Sequence, residues 1–114
     1  MRSDSLREGL PFSVSIARSG RSLVICPQGE LDLATSPAME QAVMQAVARS
    51  DGAGRIEAVV LDLEGLEFID LVGARSIYRC EQIARAHDLR FSAVRPREQA
   101  RRLFELCGSL ISSR

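Results

Sequence analysis

A chain of 114 residues, 46% of them apolar, has enough material for one small domain and a single core. Its 15 basic residues, all Arg, cancel 15 acidic ones, which argues against nucleic acid as a partner. No apolar run is long enough to span a bilayer, and residues 1–10 mix charge with Ser, so they read as a loose tail and not as a secretory signal.

Phe12 to Ala17 alternates apolar and polar side chains, the period of a half-buried strand. Arg18-Ser19-Gly20-Arg21 is a turn in which Gly20 is free to take positive φ, and Ser22 to Cys26 returns as the second strand of a hairpin. Pro27 lacks an amide donor and should mark the end of the ladder or an edge, leaving Gly29-Glu30-Leu31-Asp32-Leu33 as the following loop. Ser36 is a fitting N-cap and Pro37 a fitting first residue for a helix ending near Ser50, with Met39, Ala42, Val43, Ala46 and Val47 on one face. Asp51 to Gly54 is a connector.

Ala58 to Leu63 is a strand with Val59, Leu61 and Leu63 on one face. Asp62 falls on the other face, and a strand covered on both sides rarely carries a carboxylate, so the helices should lie mainly on one side of the sheet. Glu64-Gly65 breaks that strand, and Leu66 to Ile69 leads into a loop at Asp70. A second helix runs from about Gly73 to Asp88, with Ile77, Cys80, Ile83, Ala84 and His87 in its stripe and Glu81 and Arg85 paired on the wet face. Leu89 to Val94 alternates as a strand. Pro96 opens a third helix with Ala100, Leu103, Phe104 and Cys107 inward, and Gly108 is placed to end it. The order is β-β-α-β-α-β-α: an α/β fold whose mixed sheet joins an antiparallel hairpin to parallel crossovers.

Chemistry is sparse. The single His, His87, is far in sequence from any nucleophile, and no phosphate-binding Gly loop, nucleophile elbow or His–Cys cluster is present. Glu64, Glu67 and Asp70 gather near one strand end and could suggest a metal or acid–base site, although a solvated loop with Asp70 capping the second helix is the plainer reading. Cys26, Cys80 and Cys107 are widely spaced and match no metal pattern, so they read as free thiols of a reducing compartment. The chain reads as a non-enzyme, with no metal and no cofactor.

A binding surface remains. Four segments resemble the STAS domain of the anti-sigma-factor antagonist family: Gly29-Glu30-Leu31-Asp32 with Leu33-Ala34-Thr35, Val59 to Leu63, Phe68-Ile69-Asp70-x-x-Gly73, and Arg102 to Gly108. The resemblance implies a STAS domain over residues 11–111 between tails at 1–10 and 112–114. It also implies a cytoplasmic, bacterial regulator of transcription that works by partner switching. Such a protein binds an anti-sigma factor that is also a serine kinase, is released when phosphorylated at the start of the second helix, and is reset by a PP2C-type phosphatase. The family's acceptor falls on Val72, which carries no hydroxyl, and the residue before it is Leu71. The nearest hydroxyl is Ser76, one turn on, where a small polar residue at the helix–sheet contact is the plainer reading. Asp32, Asp70, Leu71, Val72 and Arg75 are the implied contact surface, with binding kept and phosphorylation at the usual position lost. The alternative is a ligand-sensing or scaffold STAS domain that self-associates, as a homodimer, or joins a transport or signalling assembly, and an exposed Leu71–Val72 pair would serve that as well.

Overall fold

Ser13–Ser19 (β1) and Ser22–Leu31 (β2) form the opening antiparallel hairpin of the computed structural model, which describes residues 12–50 and 55–106. Ser19 pairs with Ser22 across the two-residue loop Gly20-Arg21, and Gly20 takes a φ of 61°. Positive φ at the first loop residue alone is the type II′ pattern, whose twist suits the flanking strands.

β2 is twice the expected length. It does not stop at Pro27 but runs ten residues to Leu31. The reason lies in its neighbours. Residues 22–25 of β2 pair in parallel with Ala58–Asp62 (β3), and residues 29–31 pair in parallel with Leu66–Ile69 (β4), a strand absent from the sequence reading. Pro27 stands between the two ladders, where one partner is exchanged for the other, so its missing donor breaks neither. β3 and β4 follow one another along the same edge of β2, separated by a turn at Glu64-Gly65. Gly65 is required there: a Cβ would lie 2.8 Å from Gln28 Cγ and 3.0 Å from the Pro27 carbonyl oxygen, while the Gly65 carbonyl accepts from the Gly29 amide at 3.1 Å. The order is therefore β-β-α-β-β-α-β-α, with sheet order β1-β2-β3-β5 once Arg90–Val94 (β5) is added, and β4 on β2.

The three helices, Ser36–Ser50 (α1), Leu71–Ala86 (α2) and Glu98–Leu106 (α3), bury the face of the sheet that carries Leu23, Ile25, Leu31, Val59, Leu61, Leu63, Phe91 and Ala93. Met39, Val43 and Val47 come down from α1, Ala74, Ile77, Cys80 and Ala84 from α2, and Ala100 and Phe104 from α3. Each fully buried aliphatic side chain in this layer contributes about 1.5–3 kcal/mol. Val60 and Asp62 lie on the opposite face, which none of these three helices buries, as the lone carboxylate in the strand pattern predicts. No helix among the described residues is long and apolar enough to cross a membrane.

Some local expectations differ. α2 begins two residues early, at Leu71, because Asp70 is its cap, and it ends at Ala86, which leaves His87 exposed at the C-cap. α3 begins at Glu98, after Pro96 and not at it. Glu81 does pair with Arg85, at 2.6 Å, but its side chain is only 5% exposed, and Oε1 has no hydrogen-bond partner. Position 81 sits one turn from both Ile77 and Ala84, so the helix carries it into the packed stripe and not onto the wet face. The connector at 51–54, the tails, and Cys107 with Gly108 lie outside the described residues.

Candidate functional site

The parallel strands β2 and β4 end at the paired residues Leu31 and Ile69. The next residue on each strand is an aspartate, so Asp32 and Asp70 leave the sheet side by side. Each then organises the helix that follows. Asp32 Oδ1 accepts from the amides of Ala34 at 3.0 Å and Thr35 at 3.2 Å, while the Thr35 hydroxyl donates to the Glu30 carbonyl at 2.7 Å and accepts from the Asp32 amide at 3.0 Å. Ser36, the expected N-cap, is instead buried in the first turn and donates its hydroxyl to the Asp32 carbonyl at 2.7 Å. The Asp32–Thr35 turn has already closed the entry to α1, and the Ser36 hydroxyl turns back onto it.

Asp70 has an extended backbone and accepts from the Gly73 amide at 2.9 Å, the geometry of an N-cap. Its own amide donates to the Leu31 carbonyl at 3.3 Å. Gly73 presses on that same carbonyl. A Cβ at position 73 would collide with the Leu31 oxygen and stand 2.9 Å from Ile69 Cγ1. The Asp-x-x-Gly spacing is thus two physical requirements, a cap for α2 and a bare backbone where α2 sits on the end of β2.

Between these fixed points the chain displays Leu71, 48% exposed, and Val72, half-buried. Arg75 projects one turn further along α2, exposed and in no ion pair among the described residues. Two further apolar side chains border the same strand ends and escaped the sequence reading of the site. Leu33 is 73% exposed and stands two residues beyond Leu31, the place Leu71 occupies relative to Ile69; Phe68, paired in register with Glu30, is 39% exposed. The legible signal was an unpartnered Leu inside a polar turn. Asp32, Asp70, Leu71, Val72 and Arg75 all belong to this one end of the sheet, whereas Ser76 points away from it. Its side chain is fully buried against α1, donating to Glu40 Oε2 at 2.8 Å.

The three acidic residues that could have formed a metal or acid–base cluster have separate tasks. Asp70 caps α2, Glu64 meets Arg95 Nη2 at 2.9 Å, and Glu67 is exposed. Arg95 also grips Asp62, Nη2 to Oδ2 at 2.6 Å and Nε to Oδ1 at 3.2 Å, and this fork holds the Asp62 carboxyl below its ordinary value. His87 Nδ1 lies 3.1 Å from the Ile83 carbonyl oxygen at the far end of α2. Of the thiols, Cys26 is half-buried in the sheet and Cys80 fully buried, its pKa pushed up to about 12 by desolvation and the Glu40 charge.

The chain as a whole has known relatives in sequence and in fold. The sequence profile of the STAS domain matches residues 13–111. An anti-sigma factor antagonist from Mycobacterium paratuberculosis is 27% identical, with a TM-score of 0.73 over 90% of this chain and 85% of that one. Bacillus SpoIIAA in its phosphorylated form is 18% identical, with a TM-score of 0.64 over 91% of each chain. The anti-sigma factor antagonist SpoIIAA in its unphosphorylated form is 19% identical, with a TM-score of 0.70 over 90% of this chain and 88% of that one. No curated protein matches the chain by sequence.

Proposed function

This chain belongs to the STAS domain family, and from that membership we propose that it is an anti-sigma factor antagonist that holds its partner without phosphorylation at the usual loop position. The observation that carries the reading is the Asp70–Gly73 loop, which keeps its cap and its close approach to Leu31 while presenting apolar Leu71 and Val72 in place of a hydroxyl. The similarity to the mycobacterial antagonist supports the class of partner.

On this reading the chain is a cytoplasmic binding protein and not an enzyme. Asp32, Asp70, Leu71, Val72 and Arg75, with Leu33 and Phe68 beside them, form the contact surface for an anti-sigma factor that is also a serine kinase. A phosphoryl group at position 72 would add nearly two negative charges beside Asp70 and drive such a partner off. The α2 N-terminus would soften that charge within the domain, leaving the fold intact. Val72 cannot take the group. Ser76 is no substitute, because a kinase would have to extract a hydroxyl that is wholly buried and bonded to Glu40. A PP2C-type phosphatase then has nothing to remove at this loop, and control passes to the supply of the partner.

The test is capture of candidate anti-sigma kinases on immobilised protein, with and without ATP. Binding that survives ATP with no phosphate incorporated is the expected result, and Val72→Ser should become a substrate that is released once labelled. Failure of every candidate to bind refutes the antagonist reading. Efficient labelling of the unaltered protein at Ser76 refutes the loss of phosphate control.

A further inference from the structure

We propose that two copies of this chain pair through the outer edge of β1, antiparallel about Ile16, joining their sheets into one. β1 ends the sheet, and its outer side pairs with no strand among the described residues. The hairpin dictates which groups that edge offers. Because Gly20 and Arg21 form a two-residue loop, Ser19 and Ser22 are a hydrogen-bonded pair. Alternation along the ladder then turns the backbone groups of Ser13, Ser15 and Ala17 inward to β2 and leaves the N–H and C=O of Val14, Ile16 and Arg18 pointing outward.

These groups are self-complementary. A two-fold axis at Ile16 sets Ile16 against its copy and Val14 against Arg18, so every outward donor meets an outward acceptor. Registers centred on Val14 or Arg18 use fewer of them, and the latter opposes two guanidinium groups. Of the usual guards of an edge strand, β1 itself holds no Pro, no Lys and no bulge. Its one charged side chain, Arg18, is bent back onto the carbonyls of Gly20, at 3.0 Å, and Arg55, at 3.3 Å.

The side chains agree with the backbone. Val14 and Ile16 lie opposite Pro27 and Ile25, on the face the helices cover, yet α1 covers them only in part: Val14 is half-buried against the core and Ile16 is 42% exposed. What is left is a groove of about 550 Å³ between the hairpin and α1, floored by Val14, Ile16, Leu23 and Ala46. An axis perpendicular to the sheet keeps both helical layers on one side, so the two grooves merge and the opposed Ile16 side chains cover each other. β1 spans only residues 22–28 of β2, whereas Asp32 and Asp70 lie beyond residue 31. The dimer therefore leaves both partner surfaces open and makes the protein bivalent.

Sedimentation of the whole chain over a concentration series should reveal a monomer–dimer equilibrium. Ile16→Lys sets like charges face to face on the axis and should weaken association roughly tenfold or more while the circular dichroism stays that of the folded domain. Ile16→Cys should form an intermolecular disulfide under mild oxidation, since opposed Cα atoms about 5.5 Å apart in a hydrogen-bonded pair suit that bond. Ala17→Cys, on the other face and opposite Ser15 of the second copy, should cross-link far less. A monomer at every concentration overturns the proposal, as does a dimer that neither weakens with Ile16→Lys nor cross-links through position 16.

Discussion

Gly73→Ala sets two physical arguments against each other, and its sign decides between them. By helix propensity alone the change should stabilise α2, by up to about 1 kcal/mol. The contacts say the reverse. The new methyl runs into the Leu31 carbonyl oxygen and comes within 2.9 Å of Ile69 Cγ1. Neither can retreat easily, because the Leu31 oxygen is held by the Asp70 amide and Ile69 is 1% exposed in the core. Overpacking a tight site costs about 1–3 kcal/mol, and backbone as the first obstacle puts this case near the top of that range. Subtracting the propensity gain leaves a net loss of about 2 kcal/mol, or ~10 °C in Tm for a domain of this size. Urea denaturation followed by circular dichroism measures it, and partner affinity should fall further than stability because Leu71 moves with the first turn. Gly20→Ala is the control, since nothing lies within 4 Å of its Cβ and only the left-handed backbone opposes it, at about 1–2 kcal/mol. A Gly73→Ala protein as stable as the parent would refute the close-approach argument.

Asp70→Ala should cost about 1 kcal/mol through loss of the cap, while Asp70→Asn keeps the acceptor and should be near neutral; urea midpoints of the two variants separate cap from charge. Asp62 titrates below its ordinary value of 3.8 in the folded state, chiefly through its hydrogen bond to Arg95, so its contribution is present above that pH and is lost as pH falls through the lower folded value. Stability curves of the parent and Asp62→Asn should accordingly converge in acid, and curves that stay parallel would discount the pair. Cys80, with its thiol raised to about 12 and no exposed surface, should resist iodoacetamide in the folded protein and react only on unfolding, which peptide mass spectrometry will reveal.

The helices and the one-sided sheet were legible because their signals are periodic and local. Met39, Val43 and Val47 repeat at helical spacing, and Asp62 in an apolar strand announces an open face whatever the rest of the chain does. β4 was not legible: Leu66 and Ile69 are buried and Glu67 and Phe68 exposed, a four-residue pattern with no alternation to read. The true length of β2 was hidden for a related reason. Pro27 and Gly29 are breakers by themselves and become harmless only where β2 exchanges β3 for β4, a fact about neighbours distant in sequence.

The loop divides in the same way. Asp70, Gly73 and the absence of a hydroxyl at Val72 are properties of the residues themselves, readable from the chain at those positions without its fold. Where side chains go is decided by packing. Only the register of Leu31 against Ile69 brings Asp32 beside Asp70, only the docking of α2 on α1 turns Ser76 inward to Glu40, and only the packing of α2 buries Glu81, which spacing had assigned to solvent. Local preference fixes what each segment can be; long-range pairing, which no window of sequence contains, fixes what each side chain meets.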